Sequence, residues 1–95
     1  MGQEQIVRAQ RPLAAVLAAL SNAGQPCQIV MVDSILVLPS APAPATWSEV
    51  RLKTPAGMVT LRRRADEIAL LVFGNATAEL LALRETIAAA FATQR

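Results

Sequence analysis

A chain of 95 residues with nine Lys and Arg against seven Asp and Glu carries a net charge of +2, and 54% of its residues are hydrophobic. That length supports one domain, residues 1–95, with a single core, and so small a charge excess does not by itself require a polyanionic partner. The absence of histidine removes the commonest metal ligand and the commonest acid–base side chain, and a lone cysteine excludes an intrachain disulfide.

Residues 1–10 are polar except for Ile6 and Val7, and read as a frayed lead-in or a short strand. Pro12 suits a first helical position, where its missing N–H costs nothing. Leu13, Val16, Leu17 and Leu20 then recur at helical spacing, and Gly24 is placed to end that amphipathic helix. After Pro26 comes CQIVMVDSILVL, Cys27 to Leu38, which is β-branched and long for one strand. It is either one strand bent at Asp33 and Ser34 or two short strands joined by a tight turn. Without Gly or Asn at that point a primed hairpin turn is strained, so one bent strand is expected. Pro39 to Thr46, PSAPAPAT, reads as an extended surface connector rather than a ligand for a proline-binding groove.

From Trp47 to Thr54 the chain alternates, with Glu49, Arg51 and Lys53 on one face and Ser48, Val50 and Leu52 on the other. Thr54-Pro55-Ala56-Gly57 is a turn with a mechanism, since proline presets φ at its second position. The returning strand places Val59 and Leu61 on one face and Met58, Thr60 and Arg62 on the other. A polar turn at Arg64 to Glu67 leads into a third strand, Ile68 to Phe73. Gly74 and Asn75 break it, and Asn75 or Thr77 caps a last helix running to about Thr93. Leu80, Leu83, Ile87, Ala90 and Phe91 form its buried stripe.

The segments Ile29 to Leu38 and Ile68 to Phe73 are apolar on both faces, apart from Asp33 and Ser34, and ask for cover on both. Two helices on one face of the sheet would leave the other bare, and bare apolar faces usually mark interfaces, whereas helices on opposite faces would make the monomer self-sufficient; the interface is the preferred reading. Ile35, Val37, Leu71 and Phe73 are the candidate interface residues, with a homodimer as the default assembly.

Candidate chemistry is sparse. A nucleophilic Cys27 has no histidine to serve as its base, and a buried, inert thiol is the simpler reading. Asp33 in apolar surroundings would gain a raised pKa and could exchange protons; at a bend it would instead cap backbone N–H groups. Asp66 and Glu67 are adjacent and point apart. No phosphate-binding glycine loop and no metal-ligand spacing occurs in the sequence, so no enzyme, cofactor or metal is expected.

The basic stretch RLKTPAGMVTLRRR has two readings. Arg51, Lys53, Arg62, Arg63 and Arg64 could line a two-stranded ribbon that binds phosphates or an acidic partner. Glu49, Asp66 and Glu67 flank them, no aromatic is interleaved, and charge on the wet face of a hairpin discourages aggregation. The wet-face reading is preferred.

MGQEQIVRAQ lacks an apolar signal core, and IVMVDSILVL, ten residues with an Asp inside, is too short to span a bilayer. A cytoplasmic protein without membrane contact is expected. Its Ala-rich, aromatic-poor, Arg-over-Lys usage points to a GC-rich bacterial source. The closing rhythm of hairpin, strand and helix resembles the C-terminal domains of bacterial secretion and flagellar length-control proteins. That resemblance covers less than half of the chain, contains no diagnostic motif and carries over no functional residue. The expected fold is α+β, a mainly antiparallel sheet of about four or five strands between two amphipathic helices, in the order α-β-β-β-β-α. The expected function is protein binding through an apolar sheet face, as a dimeric subunit, adaptor or small chaperone; the rival is a nucleic-acid-binding regulator using the basic hairpin.

Overall fold

The alternation on either side of Pro55 and Ala56 builds the centre of the molecule. In the computed structural model, which describes residues 4–74 and 76–93, the chain runs β1 (Glu4–Arg8), α1 (Leu13–Asn22), β2 (Gln28–Val32), β3 (Ile35–Leu36), β4 (Glu49–Thr54), β5 (Gly57–Arg64), β6 (Glu67–Leu71) and α2 (Ala78–Ala92). All strand pairings are antiparallel, in the order β1-β6-β5-β4-β2-β3. The α+β class holds. The sheet has six strands where four or five were expected, and a strand precedes the first helix.

That extra strand lies in the polar lead-in. β1 pairs with β6 over five residues, Val7 opposite Ile68 and Gln5 opposite Leu70. Residues 4–8 are therefore ordered by a partner some sixty positions away in sequence and not by their own hydrophobicity.

Cys27 to Leu38 is not one bent strand. It is a hairpin, β2 and β3, turning at Asp33 and Ser34 with φ of 49° and 71°. The strain expected of such a turn is present, and hydrogen bonds offset it. Asp33 Oδ1 accepts from the backbone N–H of Ser48 and of Glu49, both at 2.8 Å, and Asp33 N donates to Glu49 O at 2.7 Å. The carboxylate thus ties the turn to the point where the connector rejoins the sheet. A register shift between Ile29 and Met31 divides the apolar run. Ile29 lies opposite Leu52 on the core side, and Met31 lies opposite Arg51 on the other.

Both helices cover the same face. Leu13, Val16 and Leu20 of α1 and Leu80, Leu83, Ile87, Ala88 and Phe91 of α2 join Ile29, Val50, Leu52, Val59, Leu61, Ile68, Leu70 and Val72 in one buried cluster. Leu17 and Ala90, expected in these stripes, pack only partly buried against it. Pro12 is the N-cap of α1 and not its first helical residue. At the other end Gln25 N donates to Leu20 O and Gly24 N to Ser21 O, a Schellman closure that uses Gly24 at φ 80°. Thr77 caps α2, its side chain accepting from Leu80 N at 3.1 Å; Asn75 lies outside the described residues. The turn after β4 is held by Thr54 Oγ1, which accepts from Ala56 N and Gly57 N and donates to Gly57 O. A side chain at Gly57 would sit 3.1 Å from Leu80, so glycine there also lets α2 close onto the hairpin.

Asp33→Ala removes both accepted hydrogen bonds and leaves alanine at a left-handed φ. It is expected to lower the unfolding free energy by about 1–3 kcal/mol in urea titration. Ser34→Gly, which relaxes the neighbouring strained position, should be neutral or stabilising in the same measurement.

Candidate functional site

The face of the sheet opposite the helices carries the surface chemistry. Cross-strand pairing sorts it into rows. One row crosses all six strands, Glu4, Leu71, Thr60, Arg51, Met31 and Leu36. Beside it run Ile6, Ala69, Arg62 and Glu49, then Arg8, Glu67 and Arg64, and on the other flank Met58, Lys53 and Gln28. The β1–β6 half thus holds an apolar middle, Ile6, Ala69 and Leu71, between Glu4, Arg8 and Glu67, and the β5–β4 half is mainly basic.

No helix covers this face, yet Thr60 at its centre is only 2% exposed. Its neighbours on this face are the long side chains of Arg51 and Leu71 directly opposite and of Met58 and Arg62 along the strand. Around this patch Ile6 is 57% exposed and Met58 43%, well above what their hydrophobicity favours. A shallow depression of about 340 Å³ opens beside it, lined by Ile6, Ala69, Glu49, Arg62, Arg64 and Glu67 among others.

The five basic candidates divide. Arg51, Lys53, Arg62 and Arg64 share the helix-free face, as their register requires. Arg63 is on the core side of the strand, opposite Ile68, with its guanidinium 5.9 Å from the ring centre of the buried Trp47. Arg62 is paired with Glu49 at 3.4 Å, and Arg8 of β1 with Asp66 at 2.9 Å. The run of three arginines is therefore not a continuous positive ridge.

The four interface candidates also divide. Leu71 lies half-buried in the central row, and Phe73, beyond the end of β6, is 62% exposed. Ile35 pairs with Val32, which is opposite Val50, so it extends the core side at the far edge, and Val37 packs against the core cluster. These four do not form one patch. Ile6, Met31 and Met58 belong to the helix-free face instead. Met58 is legible from strand alternation, Met31 is hidden by the β2 bulge, and Ile6 lies in a segment whose polarity leaves a short strand and a frayed lead-in equally open.

The reactive candidates are occupied structurally. Asp33 holds the connector, as above. Among the described residues no group of three or more His, Cys, Asp and Glu side chains could hold a metal, and no helix is long and apolar enough to cross a membrane. Cys27 is half-buried, its thiol donating to Gln25 O at 3.4 Å, and burial pushes its pKa up. Only the thiolate attacks electrophiles, so a raised pKa lowers the reactive fraction at neutral pH. Iodoacetamide should therefore alkylate the folded protein more slowly than the urea-unfolded chain, the folded rate rising at higher pH than the unfolded one. Equal rates would contradict this environment.

Comparison of the chain with protein-family models, with curated proteins and with solved structures finds no match, so the helix-free sheet face stands as the candidate site on its geometry alone.

Proposed function

We propose that this protein is a non-enzymatic protein-interaction module whose helix-free sheet face binds a protein partner in the cytoplasm. The observation that carries this reading is the burial of both helices on one side of a six-stranded sheet. Opposite them lies an apolar strip, Ile6, Ala69, Leu71 and Met58, rimmed by charges of both signs. An apolar centre with a polar rim is the usual anatomy of a protein-binding surface. The lack of histidine, the raised Cys27 pKa and the structural use of Asp33 support a non-enzymatic role.

One observation favours a second reading. Arg51, Lys53, Arg62 and Arg64 on a single face are a fair start for phosphate contacts. Against it, Glu49 engages Arg62, Glu67 lies opposite Arg64, and Trp47 is buried on the other side, so it offers no base a platform.

Leu71→Lys and Ala69→Lys test the first reading. Each places a charge in the apolar strip at a half-buried site, so urea titration of both variants must first show that they remain folded. Partner proteins recovered with the wild-type chain should be lost with both variants and kept with Glu85→Lys, on the exposed side of α2. Recovery that survives both strip substitutions removes the reading. For the second, retention on heparin at low salt that disappears in an Arg62→Ser/Arg64→Ser variant would be required.

A further inference from the structure

The two edges of the sheet are built differently. β3 is two residues long and is soon followed by Pro39, which blunts it. β1 is five residues long, regular in register, and contains neither proline nor bulge. Its free side is identified by hydrogen bonding. Ala9 N donates to Asp66 O at 2.7 Å, so the odd-numbered residues of this segment turn their backbone groups toward β6. Gln10, of the opposite parity, sends its N–H away from β6 to Phe91 O. The N–H and C=O groups of Glu4, Ile6 and Arg8 therefore line the outer edge.

We propose that this edge pairs with the same edge of a second copy of the chain, antiparallel about a two-fold axis at Ile6. The sequence EQIVR is self-complementary in that arrangement. Ile6 lies opposite Ile6 of the second copy, and each Glu4 lies opposite an Arg8. All three residues of both strands exchange backbone hydrogen bonds, and two unlike charge pairs form on the helix-free face. A shift of two residues either way places Glu4 or Arg8 opposite Ile6, so only the centred register satisfies both charges. Arg8 already touches Asp66, but its side chain is 70% exposed and that pair can be shared or exchanged at little cost. The product is a continuous sheet through both copies, with Ala69 and Ile6 of each forming one apolar strip across the junction. The inference concerns the edge and stands whether or not the face binds a partner.

Sedimentation of the full chain tests it. The wild type should be a dimer at micromolar concentration. Glu4→Arg or Arg8→Glu alone creates like-charge pairs and should weaken the dimer by about tenfold or more. An equimolar mixture of the two variants brings opposite charges together again and should restore a heterodimer. Ile6→Pro removes an N–H that points out of the sheet, so it should give a monomer with unchanged circular dichroism. If that variant fails to fold, the charge exchange decides alone. A monomeric wild type overturns the inference, as does a dimer that resists both charge reversals. A dimer broken by Leu71→Lys but not by Glu4→Arg also overturns it, while leaving the face as the binding surface.

Discussion

The polarity of the central hairpin decides where everything else goes. β4 and β5 put Val50, Leu52, Val59 and Leu61 on one side and Arg51, Lys53, Arg62 and Glu49 on the other. A helix laid over the charged side would strip water from several ions without giving them enough partners, at a cost of several kcal/mol for each. Both helices are therefore confined to one face, although one follows β1 and the other follows β6 at the opposite end of the chain. Ile6, Ala69, Leu71 and Met31 are left uncovered because they lie in the same rows as those charges.

A second constraint acts through one carboxylate. The connector from Leu38 to Trp47 is rich in proline and alanine and makes few bonds of its own. Its return is fixed by Asp33, which gathers the N–H groups of Ser48 and Glu49 while its own residue sits at positive φ. With β4 started there, Arg63 N donates to Ser48 O and its guanidinium lies over Trp47. Local strain and long-range hydrogen bonding are one feature here. The residue that makes the β2–β3 turn difficult also makes it necessary.

This explains what the sequence does and does not disclose. The β4–β5 hairpin, the Thr54–Gly57 turn, β6 and the α2 stripe follow from periodicity and turn chemistry, because their causes lie within a few residues of each other. The β2–β3 turn does not, since the groups that stabilise Asp33 at φ 49° are about fifteen residues away. β1 is only half legible, as one of two readings of residues 1–10, for a related reason. An edge strand is half solvated, so EQIVR shows little hydrophobic signal, and its partner β6 is at the other end of the chain. The alternation in β4 and β5 marks the side that must stay wet, but only the strand order shows that this side extends across β6 and β1 and so confines both helices to the other. Candidate interface residues chosen by hydrophobicity alone, such as Val37, fall on the core side for the same reason.

Face and edge place different demands on a partner. The helix-free face offers an apolar strip and a mixed charge field, which can select a partner by shape and charge but provides no backbone groups. The β1 edge offers a row of backbone donors and acceptors, which any extended strand can satisfy, so its selectivity must come from side chains. In EQIVR that selectivity favours its own kind, because Glu4 and Arg8 are symmetric about Ile6 and point to the same face. Filling the edge in this way would not consume the face. It would roughly double the apolar strip and fill the longer of the two sheet edges among the described residues. In a small domain with one wet sheet face, edge pairing is thus the assembly that would enlarge that face instead of burying it.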